Sequence, residues 1–305
     1  MATEPTISIL LIAYNMPREI PRTVQSFLPP YQRGLAPEEV EVLVLENGST
    51  LPVPDAVKAG WPSNVRYFDV PEPRPSPARA LNLGARVARG RFVCPCIDGA
   101  RLASPGLLAA GLSVLRQNPD AFVASLGVHL GPKPQQISVP EGYNAETEDG
   151  LLQSIGWPEN GEKLFDIAAP AGSAKGGWLY PIAESNAPLL SRERFHLIGG
   201  FEEAFDEPGG GLVNLDFYKR SVEAAPEDAY LIVGEATFHQ VHGGVSTSDK
   251  DKTRFEAYAA HYEAIRGRPY TVPEARPALC GRFTPEATAF QERIFQDRPQ
   301  AGDGL

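Results

Sequence analysis

Cysteine is scarce in this chain: Cys94, Cys96 and Cys280 are the only three in 305 residues. So few exclude a scaffold stapled by several disulfides and a Cys-rich zinc knot. Cys94 and Cys96 lie one residue apart in an apolar run, a spacing that suits neither a disulfide nor a zinc site by itself. They read as small buried residues of a reducing compartment. No apolar run is long enough to cross a membrane, and the polar start MATEPT carries no leader signal, so a cytoplasmic protein without a membrane span is expected. Basic charge is also short. The formal net charge of −10 argues against a general nucleic-acid binder, although a local basic pocket for phosphates stays open.

Glycine-rich turns are missing where nucleotide motifs need them. The first apolar run is followed by YNMPRE, which is neither a dinucleotide fingerprint nor a P-loop. A nucleophile elbow requires Gly-x-Ser-x-Gly; the nearest candidate, GVSTS at 244–248, lacks the final glycine. Dehydrogenase and serine-hydrolase chemistry are therefore disfavoured.

What is present is an ordinary globular composition, 42% hydrophobic and 22% charged. TISILLIAY (6–14), EVEVLVLENGST (39–50), NVRYFDV (64–70), RFVCPCID (91–98) and AFVASLGVHL (121–130) read as buried strands. SPARALNLGARVARG (76–90) and SPGLLAAGLSVLRQN (104–118) read as helices opened by Ser-Pro. Strands alternating with helices predict an α/β fold with parallel pairing. Residues 131–180 are irregular, and AGSAKGGW (171–178) reads as a mobile loop. Further on, helices are predicted at 191–200, 212–225, 252–267 and 284–297, with one or two strands in 229–244. Tyr14 and Asn15, Glu46 and Asn47, and Asp98 fall at successive strand ends, where open α/β sheets bind ligands.

ISILLIAYN, EVLVLENGST and ARALNLGARVARGRFVCPCIDGARLASPG together resemble the nucleotide-binding half of GT-A glycosyltransferases of the family 2 type. APLLSRERFHLIGGFEEAF (187–205) is similar to that family's acceptor-side segment, so the resemblance covers roughly residues 6–245. It implies a GT-A fold, a mostly parallel central sheet flanked by helices. Residues 1–250 would form the transferase domain, divided into a nucleotide-binding half (1–130) and an acceptor-binding half (131–250), with 251–305 a helical extension. It further implies transfer of a sugar, in the hexosyltransferase manner, from a UDP-, GDP- or dTDP-linked donor to a hydroxyl of a glycan or small acceptor. Inversion and a divalent Mn²⁺ or Mg²⁺ ion complete the expectation. A homo-oligomer is compatible with it.

By this resemblance Ala13, Tyr14 and Asn15 would contact base and ribose, and Glu46 would accept from the base; the family more often has Asp there, and Glu46 also reads as a turn residue before Asn47-Gly48. Arg79 and Asn82 fall near the donor in the family, or else on a solvated helix face. Asp98 matches the first acid of the family's Asp-x-Asp motif, and Ala100 stands at the second. A departing nucleoside diphosphate needs a cation, and one carboxylate holds a hard ion only with another protein ligand. His242 sits where such enzymes place a C-terminal metal-binding His. His239, three residues earlier, would face the opposite side of a strand and reads as supporting or core, unless the chain bends. Asp216 is the candidate base, or a helical partner of Arg220; the family's Glu-Asp pair is replaced here by Val213-Asn214, and Glu184, Asp206 and Glu207 are reserves. Lys175 and Trp178 would belong to a lid closing on the donor, or to a plain surface loop. The losses at positions 100 and 213–214 also suit a catalytically silent nucleotide-sugar-binding protein or scaffold on the same fold.

Overall fold

The computed structural model describes residues 4–243 and 253–296. GVSTS at 244–248 and the ends of the segments expected at 229–244, 252–267 and 284–297 therefore lie outside the described residues. In chain order the strands are β1 (Ile7–Ala13), β2 (Val40–Glu46), β3 (Val65–Asp69), β4 (Phe92–Cys96), β5 (Arg101–Ala103), β6 (Phe122–Leu130), β7 (Ala168–Pro170), β8 (Leu189–Ser191), β9 (Ala229–His239) and β10 (Ala278–Gly281). The helices are α1 (Glu19–Ser26), α2 (Asp55–Lys58), α3 (Ala78–Val87), α4 (Leu107–Gln117), α5 (Gln135–Ser138), α6 (Ala145–Ser154), α7 (Arg192–Leu197), α8 (Val213–Ala224), α9 (Thr253–Arg266) and α10 (Pro285–Gln296).

All ten strands share one sheet, whose main path runs β10-β9-β6-β8-β4-β1-β2-β3, with β5 on β9 and β7 on β6. β3, β2, β1 and β4 run parallel, as do β6, β9 and β10; β8 joins the two groups antiparallel to both. Predominantly apolar runs make β1, β2, β4 and β6 buried on both faces, the usual state of parallel strands covered by helices. Two apolar clusters result. One packs α3, α7 and α8 against one face; the other packs α1 and α4 against the opposite face.

Several elements were not expected from sequence, α6, β5 and β10 among them. α6 forms within 131–180, capped by the Asn144 side chain on the Thr147 amide. β5 follows Asp98 directly and pairs antiparallel with the end of β9, Arg101 opposite His239. β10 lies between the two C-terminal helices and extends the sheet beyond β9. AGSAKGGW is not a loose loop. It makes two short turns that bury Trp178 against Phe165, Phe283 and Phe290, with the indole N–H donating to Glu235 O at 3.2 Å. An aromatic body with a satisfied N–H is worth more as core than as a moving lid.

Candidate active site

Parallel register brings the carboxyl ends of β1, β2 and β4 together. Ala13 pairs with Glu46, and Leu11 with Cys96, two residues before Asp98. The turn after Cys96 is tight: a Cβ on Gly99 would fall 1.8 Å from Ile12 O, so no other residue fits there. Asp98 then folds back, its Oδ1 accepting the Ala100 amide at 3.0 Å. The methyl group of Ala100 is fully buried in the apolar cluster beneath α1 and α4. Position 100 thus points into core, and an acid there would not meet the ligand side of the turn.

The second contribution comes from β9. A Cβ on Gly234, whose φ is +81°, would lie 2.0 Å from Arg282 O. Around this glycine the pairing with β6 jumps from Ala124–Leu231 to Leu126–Ala236, which resets the alternation of faces. Past the jump, β9 ends at His239, and the chain bends through 240–242. Four contacts fasten the bend. The Gln240 amide donates to Ala100 O (2.7 Å), its side chain to Thr23 Oγ1 (3.0 Å), and the Val241 amide to Glu148 Oε2 (2.7 Å); Val241 O accepts from Arg18 Nη1 (3.2 Å).

Because the strand ends at His239, both histidines reach Asp98. His239 Nε2 lies 2.9 Å from Asp98 Oδ2, His242 Nε2 3.6 Å from Asp98 Oδ1, and the two Nε2 atoms are 3.2 Å apart. The expectation that His239 faces away from His242 is therefore corrected: the two side chains and Asp98 form one cluster. Burial, joined by the Arg101 charge and opposed by Asp98, pushes His239 down to about 4, so its ring is neutral near pH 7. Burial disfavours a charged Asp98, yet its histidine and Arg101 neighbours hold the carboxyl well below the usual range.

The tautomer of His239 follows from its other side. Gln135, fully buried in α5, donates its amide group to Leu130 O (3.2 Å) and His239 O (2.9 Å). Its Oε1 must then accept, and it takes the His239 Nδ1–H at 2.6 Å. His239 Nε2 consequently presents a lone pair to a carboxylate oxygen and to a second imidazole nitrogen. Such a convergence repels itself unless positive charge sits between the three atoms, so the donor set fits a divalent cation.

The other expected residues fall as follows. Ala13 is buried, with its carbonyl accepting the Asn47 amide. Tyr14 is 52% exposed. Asn15, at φ 53°, is stitched to the next strand end, its Oδ1 accepting from Thr50 Oγ1 and Leu51 N. Glu46 is buried and accepts from Ser49 through Oε1 and from Tyr67 Oη through Oε2. Arg79 pairs with Glu72 at the surface. Asn82 clamps the turn after α7, its amide bonding both the N–H and the C=O of Phe201 at 2.9 Å. Lys175 is exposed; Trp178 is not. Asp216 is 1% exposed and locked between Arg220 and Arg266, which bond both its oxygens at 2.7–2.8 Å. It ties α8 to α9, and a carboxylate so held is poorly placed to collect a proton. Sequence reasoning missed Gln135 altogether. The Arg101 side chain is buried, with Nε 3.4 Å from Asp98 Oδ2. Only the structure reveals them, since a lone Gln or Arg carries no spacing signal.

Comparison with known proteins gives the family and supports the fold. The model of the family described as glycosyl transferase family 2 matches residues 8–160, and the chain belongs to that family. Validoxylamine A glucosyltransferase from Streptomyces hygroscopicus subsp. limoneus is 29% identical over 153 residues, 50% of this chain and 30% of that protein. The chain thus spans under a third of the length of that curated relative. Among solved structures, the mannosyltransferase PcManGT from Pyrobaculum calidifontis, in complex with GDP-Man and Mn²⁺, superposes with a TM-score of 0.50 at 17% identity, covering 89% of this chain and 66% of that one. TarS 1-349 from S. aureus in complex with UDP gives a TM-score of 0.44 at 13% identity, covering 70% and 55%. The fold is GT-A. Among the described residues no helix is long and apolar enough to cross a membrane.

Proposed function

We propose that this glycosyltransferase moves a hexose-type sugar, with inversion, from a UDP-, GDP- or dTDP-linked donor to a hydroxyl of a glycan or small-molecule acceptor. The observation that carries the reading is the convergence of Asp98 Oδ2, His239 Nε2 and His242 Nε2 at the carboxyl end of β4. A divalent cation held by these three residues would supply positive charge to the leaving diphosphate. One carboxylate with two imidazoles favours Mn²⁺ over Mg²⁺, which prefers oxygen ligands. The complexes of the mannosyltransferase with GDP-Man and Mn²⁺ and of TarS with UDP, and the glucosyltransferase relative, support this choice of ligands by analogy.

In this reading the exposed Tyr14 ring stacks on the base beside Asn15. Ala13 and Glu46 shape the floor below, Glu46 mainly through its bonds to Ser49 and Tyr67. Residues 1–130 bind donor, 131–250 bind acceptor, and 251–305 brace the latter. Lys175, exposed on its turn, is the residue of that segment free to approach phosphate; Trp178, Arg79 and Asn82 support the frame.

The test is a melting-temperature panel with UDP, GDP and dTDP, each with and without Mn²⁺. One nucleotide is expected to stabilise the protein only when Mn²⁺ is present. No shift with any of the three would overturn the reading. A catalytically silent nucleotide-sugar-binding protein is the second reading, favoured by Asn214 standing where the family carries an acid. It predicts the same shift with no release of nucleoside diphosphate from any donor.

A further inference from the structure

We propose that Glu184 is the base that takes the proton from the attacking hydroxyl, an assignment that rests on the transfer reading above. Glu184 is half-buried in the segment that leads into β8. Its Oε2 accepts from Asn214 Nδ2 at 2.7 Å, at the first turn of α8, and the same Nδ2 lies 3.3 Å from Asn186 Oδ1. Asn214 cannot take up a proton itself, but it fixes a carboxylate that can.

The backbone on either side of Glu184 is pinned. Ser185 Oγ accepts the Ser125 amide at 2.9 Å, Ser125 Oγ donates to Ala187 O at 3.0 Å, and Tyr270 Oη donates to Ala183 O at 3.1 Å. Two residues along β6 from Ser125 comes Gly127, paired with Thr237, two residues before His239. A methyl group on Gly127 would lie 3.0 Å from Asn186 Nδ2 and 3.5 Å from Arg101 Nη1. Arg101 in turn approaches Asp98. Two polar sets, Asp98 with Arg101 and Asn186 with Asn214 and Glu184, therefore border the space that Gly127 leaves open between them.

The space carries a second, independent mark of a ligand. Arg101 Nε and Nη1, Asn214 Oδ1 and Thr237 Oγ1 are buried without a hydrogen-bond partner, and each of these side chains is at least nine-tenths buried. Buried polar atoms are nearly always paired, and a polyhydroxylated ligand offers both donors and acceptors to such a set. Glu184 stands across this space from Asp98, where an acceptor would approach a donor whose diphosphate lies at Asp98. The acceptor oxygen bonds to the anomeric carbon as that carbon's bond to the diphosphate oxygen breaks. The bonding pair leaves on the diphosphate, and the hydroxyl proton passes to the Glu184 carboxylate, which later gives it to water.

The test uses the full chain with Mn²⁺ and UDP-glucose, GDP-mannose or dTDP-glucose, water serving as acceptor, and follows release of nucleoside diphosphate. Glu184→Gln is expected to slow release by about 10²- to 10⁴-fold. Mn²⁺-dependent binding of the nucleoside diphosphate, by calorimetry, should stay within about twofold, because the Glu184 side of the space does not touch the nucleotide. Adding Asn214→Asp to Glu184→Gln puts a carboxylate beside the lost one and should restore at least about tenfold of the rate. Wild-type turnover that survives Glu184→Gln within about threefold overturns this assignment alone. Wild-type protein that releases nucleoside diphosphate from none of the donors overturns the transfer reading, and the assignment falls with it.

Discussion

Gln135 dictates which nitrogen of His239 carries its hydrogen: with its amide group donating to two backbone carbonyls, its Oε1 can only accept, 2.6 Å from His239 Nδ1. The Gln135 amide N–H also bonds His129 Nδ1 at 2.8 Å, and the His129 ring packs 5.2 Å from that of His239. Gln135→Leu removes the acceptor and keeps the bulk. Calorimetric titration with MnCl₂ should show affinity lower by about 10- to 100-fold, the usual cost of losing a partner behind a ligand. Unchanged affinity would mean that the ring is oriented by its packing alone.

Restoring the acid at position 100 should not improve the site. Ala100 is fully buried among apolar side chains, so Ala100→Asp places a carboxylate in core. Thermal or urea unfolding should show a loss on the order of 3–5 kcal/mol, the scale of an uncompensated buried charge. Tighter Mn²⁺ binding in a stable variant would contradict the burial argument.

Asp216 should behave as a brace. Asp216→Asn leaves Arg220 and Arg266 without their shared carboxylate and is expected to cost about 3–5 kcal/mol in stability. Mn²⁺-dependent nucleotide binding should persist in the folded variant. A normal melting temperature combined with lost turnover would instead reassign Asp216 to the chemistry.

His239 makes metal-free protein sensitive to acid. Its folded value, about 4, lies below the ordinary value of 6.5, so the unfolded chain binds the proton more readily. The stability of the neutral ring is fully present above pH 6.5 and is lost progressively as pH falls toward 4. In EDTA, the pH dependence of the unfolding midpoint between 6.5 and 4 should be shallower for His239→Gln than for wild type. Equal slopes in the two proteins would show that other groups govern this window.

Much of the nucleotide-side fold is legible in residue order. β1, β2, β4 and β6 are mostly apolar runs, and Ser191 and Gly199 bound α7 as their cap and stop chemistry requires. The place of Asp98 just beyond a strand end is legible too, because order along the chain survives without side-chain geometry. What sequence hides depends on distance. The alternation rule placed His239 opposite His242, but β9 stops at His239 and contacts from Ala100, Thr23, Glu148 and Arg18 bend the chain after it. AGSAKGGW has the composition of a loop, and it takes nearby Phe165 together with Phe283 and Phe290, over a hundred residues on, to make Trp178 core. The i,i+4 spacing of Asp216 and Arg220 was visible, whereas Arg266, fifty residues on, was not.

Ala100 gives its amide to Asp98 and its carbonyl to Gln240, so one peptide unit on each side of a single residue joins the two ligand-bearing segments. What the fold uses at this position is main chain and a small apolar volume; proline, which has no N–H, would not serve. A comparison of sequences that counts position 100 as a forfeited carboxylate measures a side chain at a place where this molecule works through its main chain.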